Sequence, residues 1–244
     1  EQYHRKHAQA KLRLLQALEE TPERYLSMDV VKQKWNISPA TLKTMQQDGV
    51  ITVISKERYR TAGVYDYKEN FQITLNNEQQ AVVDEVTRDM EQGRQQTYLL
   101  HGITGSGKTE VYVKIVKKTI EMGKQAIILI PEIALTYQTV RYFRNYFGDR
   151  VTIINSRLSD GEKYDQFMRA KNGDVDVVIG PRSALFAPFQ NLGIIIIDEE
   201  HETSYKSDYP PKYHARETAV KRAELEHASV LLGSATPSVE SYHR

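Results

Sequence analysis

The sequence contains no cysteine among its 244 residues, which removes disulfides and thiolate zinc sites from the chemistries it can perform. It also lacks any apolar run near the roughly 18 residues of a membrane span. Its longest such runs, at 126–130 and 194–197, have the length of buried strands. Charge of one sign is missing too: 33 basic residues face 32 acidic ones for a net +1, so bulk electrostatics do not by themselves call for a nucleic-acid partner. Nothing at the N-terminus resembles a signal peptide, and there is no internal repeat or low-complexity tract. These absences predict a globular cytoplasmic protein with no membrane partner.

What is present falls into two segments with different patterning. In the first 60 residues, Leu12, Leu15 and Leu18 share one helical face. Met28, Val31 and Trp35 repeat the spacing after a cap at Ser27, and Leu42 and Met45 do so after Ser38 and Pro39. Asp48 and Gly49 stop the third helix, residues 50–54 alternate as a strand, and Ser55 to Arg58 turn it back through Tyr59 and Arg60. Three helices followed by a hairpin is the winged-helix order. In that arrangement Thr41, Lys43, Thr44 and Gln47 of the third helix meet the major groove, while Lys56, Arg58 and Arg60 of the wing meet phosphates. Winged helices also dock on proteins, and both readings stay open. Gly63 and the aperiodic residues after it read as a linker. The boundaries are therefore 1–62 for the winged helix, 63–74 for the linker and 75–244 for a larger domain.

From residue 76 onward, helical stretches alternate with short branched runs at 98–100, 126–130, 151–154, 175–179, 194–197 and 230–232. That alternation predicts an α/β domain with a parallel sheet covered on both faces. Ligands in such sheets bind at the carboxyl ends of the strands. After the first run comes Gly102-Ile103-Thr104-Gly105-Ser106-Gly107-Lys108-Thr109, then a helical stretch. This is the phosphate-loop pattern in its strand-to-helix setting. Gly102, Thr104, Gly105, Ser106 and Gly107 turn backbone amides toward one point, Lys108 reaches β- and γ-phosphates, and the Thr109 hydroxyl can ligate magnesium. The run 194–197 ends in Asp198-Glu199-Glu200-His201. Asp198 is the expected magnesium ligand, and Glu199 is the carboxylate that orients and deprotonates the attacking water.

The order of these two motifs followed by Gly233-Ser234-Ala235-Thr236-Pro237 resembles motifs I, II and III of superfamily 2 helicases. His201, within motif II, joins the catalytic set. The stretch Leu75-Asn76-Asn77-Glu78-Gln79-Gln80 resembles the adenine-reading Q motif, which makes Gln79 the amide that reads the base and ATP the nucleotide. Residues 130–136 and 180–186 resemble motifs Ia and Ib, loops that hold single-strand phosphates, with Thr136, Arg182 and Ser183 as contacts. Residues 201–216 are similar to the aromatic-rich loop of PriA-type primosomal replication-restart helicases. There Tyr205, Tyr209 and Tyr213 can stack bases while Lys206 and Arg216 neutralise phosphates.

This resemblance implies a RecA-like first helicase lobe behind the winged helix. The implied function is an ATP- and Mg2+-dependent 3′-to-5′ DNA helicase of replication restart. Its implied partners are single-stranded and forked DNA, other primosome proteins and single-strand-binding protein. The chain starts without Met and ends soon after motif III, so it is expected to be a piece of a longer protein. The family's second lobe and cysteine zinc module would lie elsewhere, and zinc with them. Two departures stand out: Pro181 occupies the place of the family's Thr before the motif Ib Arg, and Asn155-Ser156 that of a His-Ser pair. The alternatives are another superfamily 2 translocase, or a nucleotide-regulated DNA-binding or docking protein.

Overall fold

The computed structural model describes residues 9–21, 26, 28–34, 37–53 and 74–242. The chain divides into two compact units, Glu1–Arg58 and Tyr59–Arg244.

In the smaller unit, helices α1 (Gln9–Glu20), α2 (Met28–Gln33) and α3 (Pro39–Gln47) are present as the apolar spacing predicts. α3 begins where Ser38 accepts the Thr41 N–H and Pro39 takes the first turn, a cap whose removal costs about 1 kcal/mol. The buried cluster is Leu14, Val31, Ile37, Leu42 and Met45, with Leu15, Leu18, Leu26 and Ile51 against it. Two expectations need correction. Leu14 and Ala17, rather than Leu12, are the buried residues of α1, because the buried stripe runs through steps of three and four residues. Met28 is 41% exposed, so Val31 carries the burial of α2. Residues 51–53 have no regular structure. Ser27, Trp35, Lys56, Arg58, Arg60, the rest of the wing and the linker at 63–73 lie outside the described residues.

The larger unit opens with α4 (Asn77–Glu91), started by a reciprocal capping box between Asn76 and Gln79. Six strands follow: β1 (Thr97–His101), β2 (Gln125–Leu129), β3 (Val151–Ile153), β4 (Val177–Gly180), β5 (Leu192–Ile197) and β6 (Ser229–Ser234). Each matches a branched apolar run of the sequence. Between them lie α5 (Lys108–Glu121), α6 (Tyr137–Phe147), α7 (Asp160–Asn172) and α8 (Ala215–Glu226), and α9 (Val239–Tyr242) comes last. The strands form one parallel sheet in the order β1-β6-β5-β2-β4-β3.

Strand parity sorts the core. Ile194 and Ile196 join Ala126, Ile128, Val177, Ile179 and Leu231 on one face, packed on Val83 and Val86 of α4, Val111 and Ile115 of α5, and Phe143 of α6. Ile195 and Ile197 join Ile127, Leu129, Val178, Val230 and Leu232 on the other, against Ala170 of α7 and Ala219 and Ala223 of α8. β5 is thus buried on both sides, which is why it reads as an unbroken isoleucine run. Truncating Ile195 to Ala would leave a cavity and cost about 2–5 kcal/mol. The connections stepping away from β1, through α5 and α6, lie on one face, and the returning ones, through α7 and α8, lie on the other. A uniform crossover hand requires this. It also brings the loops after β1, β5 and β6 together at one sheet edge.

Candidate active site

The loop after β1 enters α5 through Gly107, which sits at φ 82° in the left-handed region. A Cβ there would meet the Gln79 amide nitrogen at 2.3 Å, so only glycine fits. Helices α3, α4, α6, α7 and α8 each begin with a side chain bonded to a first-turn N–H. α5 has no such cap. Its first amides, at the positive end of a 14-residue helix, therefore face the loop with their donors available to an anion.

Lys108 is 8% exposed. Its Nζ donates to the Gly102 carbonyl at 2.7 Å and lies 3.8 Å from Glu199 Oε1. The phosphate loop and the strand-end carboxylates therefore converge on one place. Backbone bonds hold the three loops in register, Gly102 N donating to Ser234 O and Glu200 N to Gly233 O, while Asp198 N donates to Leu129 O at the end of β2.

The three carboxylates after β5 go to three destinations. Asp198 Oδ1 accepts the Tyr112 hydroxyl at 2.9 Å. Burial raises the Asp198 pKa above the usual carboxylate value, opposed by that hydrogen bond. Glu199 adopts φ 48°, a left-handed conformation uncommon outside glycine. Its carboxylate lies between Lys108 and His201, whose Nδ1 is 3.7 Å from Oε2. Glu200 is 1% exposed. It accepts from Ser238 N at 2.8 Å, Ser241 Oγ at 2.9 Å and Arg216 at 3.1 Å. Burial raises its pKa, but these donors outweigh it and the net shift is downward. Thr109 begins α5 beside Lys108 and is half-buried. The donor set of Asp198 and Thr109 is all oxygen, which suits a small hard cation such as magnesium beside a triphosphate.

Gln79 is committed in part. Its Oε1 accepts from Asn76 N and its Nε2 donates to Ser106 O, both at 2.8 Å. An amide has two donors and two lone pairs, so one of each is left for a base. Thr104 and Gly105 lie at the exposed tip of the loop, and Ser106 is half-buried. His201 Nδ1 is 2.8 Å from Ser234 Oγ.

The residues expected to hold a strand divide. Thr136 and Ser183 are exposed, Thr136 as the cap of α6. Lys206 is exposed, and Tyr209 is 79% exposed. Lys43 is exposed on α3 in the smaller unit, and Lys56 and Arg58 lie outside the described residues. Two expectations are corrected. Tyr205 is 1% exposed, and its hydroxyl donates to the carbonyls of Asp198 at 2.6 Å and Leu129 at 3.1 Å. It packs in the core beneath the loop and offers no face to a base. Arg216 spends its Nη1 on Glu200, Ser238 and Ser241, because a buried carboxylate needs a paired cation more than a solvated phosphate does. Two others are partly engaged. Arg182 donates to the carbonyls of Ser204 and Lys206. Tyr213 is half-buried edge-on against Phe186 at 5.3 Å; burial raises the pKa of its phenol, with Arg182 opposing.

The pattern-based reading missed Tyr112 and gave no individual role to Glu132, Glu200 and Gly233, which it held only as members of motifs. Glu132 Oε1 accepts the Ser156 N–H at 2.8 Å, and Asn155 Oδ1 accepts those of Arg157 and Leu158. The pair replacing the family's His-Ser thus closes a turn. For Glu200 the signal was available in the unbroken acidic string, whose third member has to go somewhere. No local spacing marks Tyr112.

Among known proteins, the DEAD/DEAH box helicase family matches residues 76–244. The chain is 46% identical over 215 residues to the replication restart protein PriA of Bacillus subtilis (strain 168), covering 87% of this chain and 26% of that protein. It is 49% identical over 170 residues to PriA of Chlamydia trachomatis serovar D, covering 69% of this chain and 23% of that one. The chain thus spans about a quarter of the length of these curated relatives. Among solved structures, RecG bound to a three-way DNA junction aligns with TM-score 0.53 and 27% identity, over 70% of this chain and 22% of RecG. The larger unit has the fold of a RecA-like helicase motor lobe.

Proposed function

Because the chain belongs to the DEAD/DEAH box helicase family, we propose that it is the ATP-binding motor lobe of a replication-restart DNA helicase, joined to an N-terminal winged helix. The observation that carries this reading is the 3.8 Å approach of Lys108 to Glu199, which brings the glycine-rich loop and the Glu199 carboxylate to one sheet edge.

In this reading the amides of Gly105, Ser106, Gly107 and Lys108 bind the triphosphate, and Gln79 uses its remaining donor and acceptor on adenine. Lys108 moves from the Gly102 carbonyl to the β- and γ-phosphates. Thr109 and Asp198 would hold magnesium, which when bound neutralises charge on the phosphate oxygens. Glu199 orients the attacking water and takes its proton. His201 passes the state of that site to Ser234 at the end of β6.

Single-stranded DNA would lie across Thr136, Arg182, Ser183, Lys206, Tyr209 and Tyr213, with phosphates on the cations and bases on the exposed ring of Tyr209. Lys43, with Lys56 and Arg58, would meet duplex phosphates. The likeness to PriA supports movement 3′ to 5′ on forked DNA and work with primosome proteins and single-strand-binding protein in the cytoplasm. Among the described residues, no helix is long and apolar enough to cross a membrane.

The test is ATP affinity of the 244-residue chain with and without single-stranded DNA, at two salt concentrations. ATP binding strengthened by DNA, and DNA binding that weakens with salt, are expected. Absence of ATP binding would reject the site. Sustained turnover should be slow, because motors of this kind take an arginine from a second lobe worth about 10³–10⁵ in rate.

A further inference from the structure

Tyr112 follows Lys108 by one turn of α5 and is 1% exposed. Its hydroxyl reaches 86 residues along the chain to donate to Asp198 Oδ1. The path crosses β6, which lies between β1 and β5 in the sheet. It crosses at Gly233, where a Cβ would stand 1.7 Å from the Tyr112 hydroxyl oxygen and 2.8 Å from the ring carbon bearing it. Any other residue at 233 would push the phenol away from the carboxylate. Gly233 is not in the left-handed region, so backbone freedom does not explain the glycine. The close approach of the ring does.

A carboxylate turns broadly about its last torsion, and a metal-binding one needs a fixed orientation. Ligating carboxylates are commonly held by a hydrogen bond to a neighbouring group, and that partner tunes metal affinity. Asp198 has such a donor on Oδ1, which leaves Oδ2 as the oxygen that would ligate magnesium in this reading. Tyr205 meanwhile holds the Asp198 main-chain carbonyl from the opposite face of the sheet. Backbone and side chain of one residue are thus fixed by two buried phenols.

The geometry points to Tyr112 as a positioning residue for the Asp198 carboxylate, with Gly233 as the gap that admits its ring. This rests on the magnesium-nucleotide reading of the site. It adds a residue outside the helicase motifs: Tyr112 of the phosphate-loop helix sets the angle at which motif II would meet the cation, and Gly233 of motif III makes room.

The experiment titrates magnesium into the 244-residue chain with a fluorescent ATP analogue, and measures binding of the same analogue in EDTA. Tyr112→Phe is expected to raise the magnesium half-saturation about tenfold while leaving affinity in EDTA within about twofold of the parent. Gly233→Ala should give the same signature with the tyrosine intact. A purely structural tyrosine would instead shift both measurements together or neither, and either result overturns the inference. If Tyr112→Phe fails to fold by circular dichroism, Gly233→Ala decides. A parent chain whose nucleotide binding ignores magnesium would overturn the site reading itself. A magnesium-dependent parent with unchanged variants would overturn only the role of Tyr112.

Discussion

His201 Nδ1 and Ser234 Oγ stand 2.8 Å apart, joining the loop after β5 to the end of β6, and the same hydroxyl accepts the Thr236 N–H at 3.1 Å. The two residues are 33 positions apart in sequence, one on the loop that leaves β5 and the other at the end of the neighbouring strand β6. The pair thus gives the carboxylate loop a side-chain link to the turn that follows β6. A double-mutant cycle of His201→Ala and Ser234→Ala, read by urea unfolding, should give a coupling of about 1 kcal/mol. Strictly additive effects would mean the contact does not form in solution.

Lys108→Ala should lower ATP affinity about tenfold or more while the thermal midpoint changes little, since the ammonium's protein partners are a carbonyl and a carboxylate 3.8 Å away. Titration with a fluorescent ATP analogue checks this. Unaltered affinity would remove Lys108 from the phosphate site.

Arg216→Ala leaves the buried Glu200 carboxylate without its cation. Breaking such a pair costs about 3–5 kcal/mol, discounted somewhat here because Ser238 and Ser241 still donate to Glu200. The expected result is a large loss of stability by denaturant unfolding. A stable variant with weakened DNA binding would restore Arg216 to the strand-binding set.

Glu200 also sets an acid response. Its folded pKa lies below the ordinary glutamate value, so it contributes stability above that ordinary value. The contribution is lost as pH falls from about 4.3 through the lowered folded pKa. Unfolding free energy measured against pH should fall more steeply in this acid window for the parent than for Glu200→Gln. Equal slopes would show that Glu200 does not titrate differently in the two states.

Tyr209 and Tyr205 should behave oppositely. Tyr209 is 79% exposed, and Tyr209→Ala is expected to weaken single-strand binding by about 1–3 kcal/mol, the worth of one stacked base, with stability unchanged. Tyr205→Phe removes the donor to two buried carbonyls and should cost about 1–3 kcal/mol of stability. Fluorescence anisotropy with labelled oligonucleotide, paired with urea melts, separates the two. A Tyr209 variant that binds DNA like the parent would place the strand elsewhere.

The features readable from sequence alone are those with a local cause. Six strands announce themselves because branched residues in runs fit a sheet buried on both faces. The phosphate loop does so because Gly107 at positive φ, Lys108 and Thr109 are consecutive, and their chemistry depends on backbone angles and one helix terminus. The cap Ser38 acts within three residues of itself. Partners distant along the chain had no such signature. Whether Tyr205 faced a DNA base or the core depended on which side of β5 its short helical turn folded against. Arg216 looked like a phosphate contact until the fold placed its guanidinium on the buried Glu200 carboxylate. Tyr112, an ordinary apolar-face residue of α5 by periodicity, became a neighbour of Asp198 only because β6 runs between β1 and β5 and carries glycine where the ring must cross. Strand order and face parity made these pairings, and both are properties of the assembled sheet.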